Sequence, residues 1–199
     1  MLGLSRLNRI DMKLTTNELD GKQQFKLVLT IFLLFSAIEV INLLSGRVLN
    51  QYGNIPRAIT SLPGIFIGPF LHGGLWHFLS NIVPLCIFIF LMLQHGTQRF
   101  FVVSLWIIVV TGLLVWLFGR SATHVGVSGV LYGYFGYLLV AGFLSGRPKL
   151  ILISLLVGFF YGGLIFGVLP SRPFVSWESH LFGFASGLIA AKLWAKQKI

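Results

Sequence analysis

Three short segments hold the polar side chains that could do chemistry: "HGGLWHFLSN" (72–81), "HVGVSGVLYG" (124–133) and "WESHLFGFASG" (177–187). In the second, Ser128 stands between Gly126 and Gly129 at the mouth of an apolar run. A serine hydroxyl near neutral pH is a weak nucleophile and needs a base, and His180 in the third segment is a candidate. If Ser128 opens a helix, its side chain and the orphan backbone N–H groups of the first turn point to one region. The helix dipole favours negative charge there, which suits an oxyanion formed during acyl transfer. Gly126 and Gly129 would let a substrate backbone come close. The plainer reading of Gly-x-Ser-Gly is small-residue packing between membrane helices. In the first segment, His77 and Asn81 are four residues apart and share a helix face. They lack the His-Glu-x-x-His pattern of a zinc protease, so the pair offers two donors aimed one way, or a packing hydrogen bond.

The elements that must position these groups are membrane helices. The chain has 199 residues, 56% of them hydrophobic and only 10% charged. Its mean hydropathy is +0.88. This composition belongs to an all-α polytopic membrane protein in a lipid bilayer. Six spans are read at Leu27–Leu44, Leu75–Leu93, Phe100–Phe118, Val125–Leu144, Leu150–Leu169 and Trp177–Trp194. Each is close to the ~20 residues that cross the hydrocarbon core as a helix. They divide the chain into an N-terminal cytoplasmic tail (1–25), a six-helix membrane domain (26–195) and a C-terminal cytoplasmic tail (196–199).

A net charge of +10 raises a nucleic-acid partner, but the basic residues flank apolar spans instead of forming one patch. With the N-terminus inside, 11 Lys and Arg fall on the inner side. Arg47, Arg57, Arg120 and Arg172 fall outside. The bias places both termini in the cytoplasm. Cys86 is the single cysteine and lies in an apolar run, so neither a disulfide nor a metal site is expected, and no cofactor is called for.

The even-numbered spans begin at the outer face, so His77, Ser128 and His180 sit at similar depth. Buried polar groups in spans face a bundle interior or a wet cavity. Gly183 and Gly187 share a face with His180, and Gly129, Gly133 and Gly136 are their counterparts beyond Ser128. Close approach of these two helices would bring Ser128 and His180 together and set Tyr132 beside the imidazole. Between the first two spans, residues 45–74 carry three prolines and an apolar aromatic set, which suits a loop lying in the membrane interface. Glu39, about a turn and a half from the outer end of the first span, needs a partner at that depth. The expected partner is Arg57, stiffened by Pro56, with Arg47 the alternative, too near the helix end to fold back.

Taken jointly, "HGGLWHFLSN", "GVSGVLYGY" and "SHLFGFASG" resemble, in order and span position, the signature segments of the rhomboid intramembrane serine proteases. The resemblance covers the membrane region from the first loop to the sixth span. It implies a six-helix bundle and a Ser–His dyad without an aspartate, with Ser128 as nucleophile and His180 as base. It further implies an oxyanion hole of His77, Asn81 and the Ser128 backbone N–H, and supporting roles for Gly126, Gly129, Tyr132 and Gly183. Its substrates would be transmembrane proteins cut near the outer face. The chain departs from the family pattern in two places: Pro63-Gly64 stands where many members carry Trp-Arg, and Met92, Leu93 and Gln94 stand where many carry Glu-x-Arg. The segment "YGNIPRAITSLPG" is similar to a bacterial branch, which implies a bacterial inner membrane. Two rival readings are a rhomboid-like pseudoprotease that binds membrane helices, and a small transporter. The first would lack a dyad residue, and the second would carry polar residues through the whole bilayer.

Overall fold

The computed structural model describes residues 18–170 and 175–197. Arg6, Arg9, Lys13, Arg172 and Lys198 of the charge count lie outside these residues. The described chain is all-helical: α1 Gly21–Leu44, α2 Gly64–Ile67, α3 Leu75–Leu93, α4 Thr97–Phe118, α5 Ser128–Ser145, α6 Pro148–Tyr161 and α7 Trp177–Trp194. Among the described residues, five stretches are long and apolar enough to span a membrane, namely α1, α3, α4, α5 and α6 with its 3₁₀ continuation to Val168. The 18-residue α7 carries Glu178 in its first turn and Lys192 in its last, and it completes the bundle beside α5.

α1 starts six residues before the expected Leu27, because Asp20 and Gln23 form a capping box. The Asp20 carboxylate accepts from the Gln23 N–H and the Gln23 side chain accepts from the Asp20 N–H, both at 2.8 Å. Such reciprocal bonds satisfy two orphan donors of the first turn.

Large apolar side chains cover the outside. Leu33, Val40, Ile41, Leu105, Leu152, Leu155, Phe159 and Phe160 are all exposed. In water this surface would drive aggregation, whereas lipid tails cover it at no cost. α5 is the opposite case, buried on all faces from Ser128 to Leu138. Its neighbours reach it across glycines. A Cβ added at Gly187 would sit on the Gly133 carbonyl, 2.8 Å from its carbon, and one at Gly183 would sit on the Gly129 carbonyl. On the α6 side, the Ser154 hydroxyl donates to the Leu138 carbonyl at 2.5 Å.

The first loop lies against α4. Ile65 packs onto Gly112, where an added Cβ would stand 3.1 Å from the Ile65 Cβ. Asn54 and His124 pair as an isolated antiparallel bridge, and Asn54 Nδ2 donates to the Gly112 carbonyl at 2.9 Å. Glu39 is only 3% exposed and pairs with Arg47, whose Nη2 lies 2.8 Å from Oε1. The expectation of Arg57 is therefore corrected. Gly46 and Arg47 both adopt left-handed backbone, φ 65° and 64°, and this turn doubles the chain back over the helix end. Arg57 instead donates from Nη1 to the Gly119 carbonyl at 2.8 Å.

Candidate active site

Ser128 is the first residue of α5. The N–H of Leu131 closes the first helical bond on Val127 O at 3.0 Å, so the N–H groups of Ser128, Gly129 and Val130 open the helix without intrahelical partners. The first-turn N–H groups of a helix point out beyond its N-terminus, where they can meet an anion. Gly126 precedes them with φ 115°, a conformation open to glycine but strained for other residues, and its N–H donates to Gly68 O at 2.9 Å. Space also requires glycine here, since an added Cβ would stand 2.8 Å from His77 Nε2 and Cε1.

His180 lies on α7, one residue beyond the turn that meets Gly129. Its ring stacks on Tyr132 with centroids 4.0 Å apart and planes 5° from parallel. His180 Nδ1 lies 2.9 Å from the Gly167 carbonyl oxygen. A carbonyl only accepts, so Nδ1 carries the proton and the lone pair of the neutral ring is on Nε2. Among the described residues, no hydrogen bond joins the Ser128 hydroxyl to this ring. Catalytic hydrogen bonds are commonly long without substrate and tighten when it binds.

The site opens on a cavity of about 990 Å³ whose lining includes His77, Asn81, Ser128, Tyr132 and His180. Gly73 N–H points at His77 Nδ1 at 3.4 Å, a long bond that marks Nδ1 as the acceptor and leaves Nε2–H free. Asn81 Nδ2 donates to the His77 carbonyl at 2.6 Å and keeps one further N–H. Pro84, also on the wall, lacks an N–H and leaves the Ser80 carbonyl without its helical donor. The sequence-derived set is thus brought to one place: His77, Asn81, Ser128, Tyr132 and His180 line the cavity, Gly126 makes room for His77, and Gly129 and Gly183 meet backbone to backbone.

Two groups of residues escaped the sequence reading. One is a rim network of Arg120, His124, Ser176, Ser179 and Glu178. His124 Nδ1 and Ser179 Oγ each lie 2.6 Å from Ser176 Oγ, and Arg120 Nε lies 3.4 Å from Glu178 Oε1. His124 titrates below the ordinary histidine range, mainly through burial; the Arg120 carbonyl and Glu178 oppose that shift and the Arg120 charge adds to it. The second is His72, fully buried, edge-on to His77 with ring centroids 5.2 Å apart. Burial, with the charges of His77 and Arg47, lowers its pKa to about 3. The Arg47, Asn50 and Asn42 side chains converge on its carbonyl at 2.6, 3.2 and 3.4 Å. His72 opens the motif "HGGLWH", and its ring carries no partner that sequence spacing could announce.

The Rhomboid domain family matches residues 59–197, from the first loop to the end of α7. An uncharacterized protein of Mycobacterium tuberculosis is 35% identical over 175 residues, covering 83% of this chain and 73% of that protein. An uncharacterized protein of Mycobacterium leprae is 34% identical over 175 residues, covering 83% of this chain and 69% of the relative. With the family match spanning the helices that build the cavity, the chain belongs to the Rhomboid family.

Proposed function

We propose that this protein is an intramembrane serine endopeptidase that cleaves transmembrane proteins near the outer face of a bacterial cytoplasmic membrane, with both of its termini inside. The observation that supports the reading is that Ser128 and His180 line one cavity, with the imidazole held by Tyr132 below and by the Gly167 carbonyl at Nδ1. In this reading Ser128 Oγ attacks the carbonyl carbon of a substrate peptide bond. His180 Nε2 takes the hydroxyl proton and returns it to the leaving amine as the C–N bond breaks. The oxyanion is met by His77 Nε2–H, the free Asn81 N–H and the backbone N–H at Ser128. Water then attacks the acyl-enzyme carbonyl and His180 accepts its proton; the proton passes to Ser128 Oγ as the ester C–O bond breaks, releasing the carboxylic product. The described residues of the flanking segments 1–25 and 196–199 are assigned to the cytoplasmic side.

An intact transmembrane helix hides its carbonyls in its own hydrogen bonds, so substrates with glycine near the outer face are favoured. That the chain carries both Ser128 and His180 favours this reading over a helix-binding pseudoprotease. The experiment is cleavage of a model single-span substrate in proteoliposomes. Ser128→Ala and His180→Ala should each abolish it while expression and melting temperature persist, and substantial proteolysis by Ser128→Ala would overturn the proposal.

A further inference from the structure

Among the described residues no carboxylate bonds to His180, which leaves open what fixes the imidazole. We propose that the backbone carbonyl of Gly167 is that group: it holds the proton on His180 Nδ1, making the 3₁₀ tail of α6 a positioning element of the reaction. The consequence for catalysis rests on the protease reading above; the tautomer itself does not.

α6 ends at Tyr161 and the chain continues as a 3₁₀ helix over Gly162–Val168. The 3₁₀ stretch, with its longer rise of about 2.0 Å per residue, carries Gly167 across to α7. Its carbonyl oxygen lies 2.9 Å from His180 Nδ1. Position 167 is glycine for a reason of space. An added Cβ would fall on the Tyr132 hydroxyl, 2.8 Å from Cζ of the ring that stacks on His180. One residue thus touches both groups that define the imidazole: its carbonyl sets the edge and its missing side chain admits the ring beneath the face.

The bond decides the tautomer. Without an acceptor at Nδ1, neutral imidazole can carry its proton on either nitrogen, and only the Nδ1–H form leaves Nε2 able to accept from Ser128. An aspartate does this work in the soluble serine proteases. A neutral carbonyl does it here without placing another charge in the bilayer, where a carboxylate is costly. It also ties the base to α6: if the 3₁₀ tail moves away from α7, His180 loses its orienting partner.

The test has two arms on the full-length protein. First, ¹⁵N solid-state NMR of ring-labelled histidines in liposomes, with His180 assigned by its absence in His180→Ala, should show the Nδ1–H tautomer. An Nε2–H tautomer would overturn the proposal. Second, incorporation of the α-hydroxy analogue of valine at position 168 turns the Gly167 carbonyl into an ester carbonyl, a weaker acceptor, and changes no side chain. It should mix the tautomers and lower kcat about threefold with KM unchanged, the size of about half of one neutral hydrogen bond. Wild-type kcat in that protein would overturn the proposal. Fluorophosphonate labelling of Ser128 in the wild-type sample separates the two levels. No labelling removes the protease reading, while the tautomer arm still decides the role of Gly167.

Discussion

Substituting Gly187 by alanine should be among the most damaging one-methyl changes in the bundle. The added Cβ would fall on the Gly133 carbonyl, 2.8 Å from its carbon and 2.9 Å from the Tyr137 backbone nitrogen. Carbon atoms in contact prefer about 3.5–4.0 Å, so α5 and α7 must part by about 1 Å. Both neighbours are helix backbone, so no rotamer change relieves the clash. A gap of about 0.5–1 Å forfeits a quarter to a half of each dispersion contact along the seam. The overpacking cost then falls at the upper end of its usual range, about 3 kcal/mol. For a chain of this size that corresponds to a fall in melting temperature of about 6–12 °C. The assay is thermal unfolding in detergent, with Gly163→Ala as the control, since nothing lies within 4 Å of a Cβ at that position. The control should lose nothing. A Gly187→Ala protein melting within about 2 °C of wild type would refute the packing argument.

Glu39→Gln should cost about 1–2 kcal/mol, because a charge-assisted bond from Arg47 becomes a neutral one. Glu39→Ala should cost about 3 kcal/mol by leaving Arg47 unpaired; denaturation with both variants checks the order, and equal stability of all three proteins would contradict it. Acid should destabilise the fold through His95, which is 3% exposed. Its pKa is lowered to about 4 by burial and then by the charges of Arg99 and Arg147. A folded pKa below the unfolded value of about 6.5 means that the unfolded chain binds the extra proton. Stability is therefore full above pH 6.5 and falls by about 1.4 kcal/mol per pH unit toward pH 4 for this one group. Melting temperature measured from pH 7.5 to 5 should decline less steeply in His95→Phe than in wild type.

What could be read from the chain alone follows from what lipid makes expensive. Polar side chains are rare in spans, so the alignment of His77, Ser128 and His180 at one depth stood out, and the cavity gathers those residues. The seam between α5 and α7 was legible because glycines at four-residue spacing lie on one face. Backbone-mediated features were not. The Glu39–Arg47 pair depends on two left-handed residues at 46 and 47, and a left-handed arginine has no marker in the sequence. The capping box at Asp20 and Gln23 was present in the letters, but hydropathy placed the helix start at the first apolar residue. Gly167 acts through a carbonyl, which every residue possesses. Its position opposite His180 arises only because α6 tightens into a 3₁₀ helix near its end. The chain of His124, Ser176 and Ser179 joins the loop before α5 to the start of α7, far apart in sequence, and has no periodicity to betray it.

The central claim is that Ser128 is a nucleophile activated by His180. Its most direct test is to treat the purified protein in liposomes with a fluorophosphonate and locate the adduct by peptide mass spectrometry. The reagent's phosphorus should be found on Ser128 Oγ, with no adduct at that position in Ser128→Ala and far slower labelling in His180→Ala, because the hydroxyl then lacks its base. An unmodified Ser128 in wild-type protein, or labelling at the same rate without His180, would contradict the account.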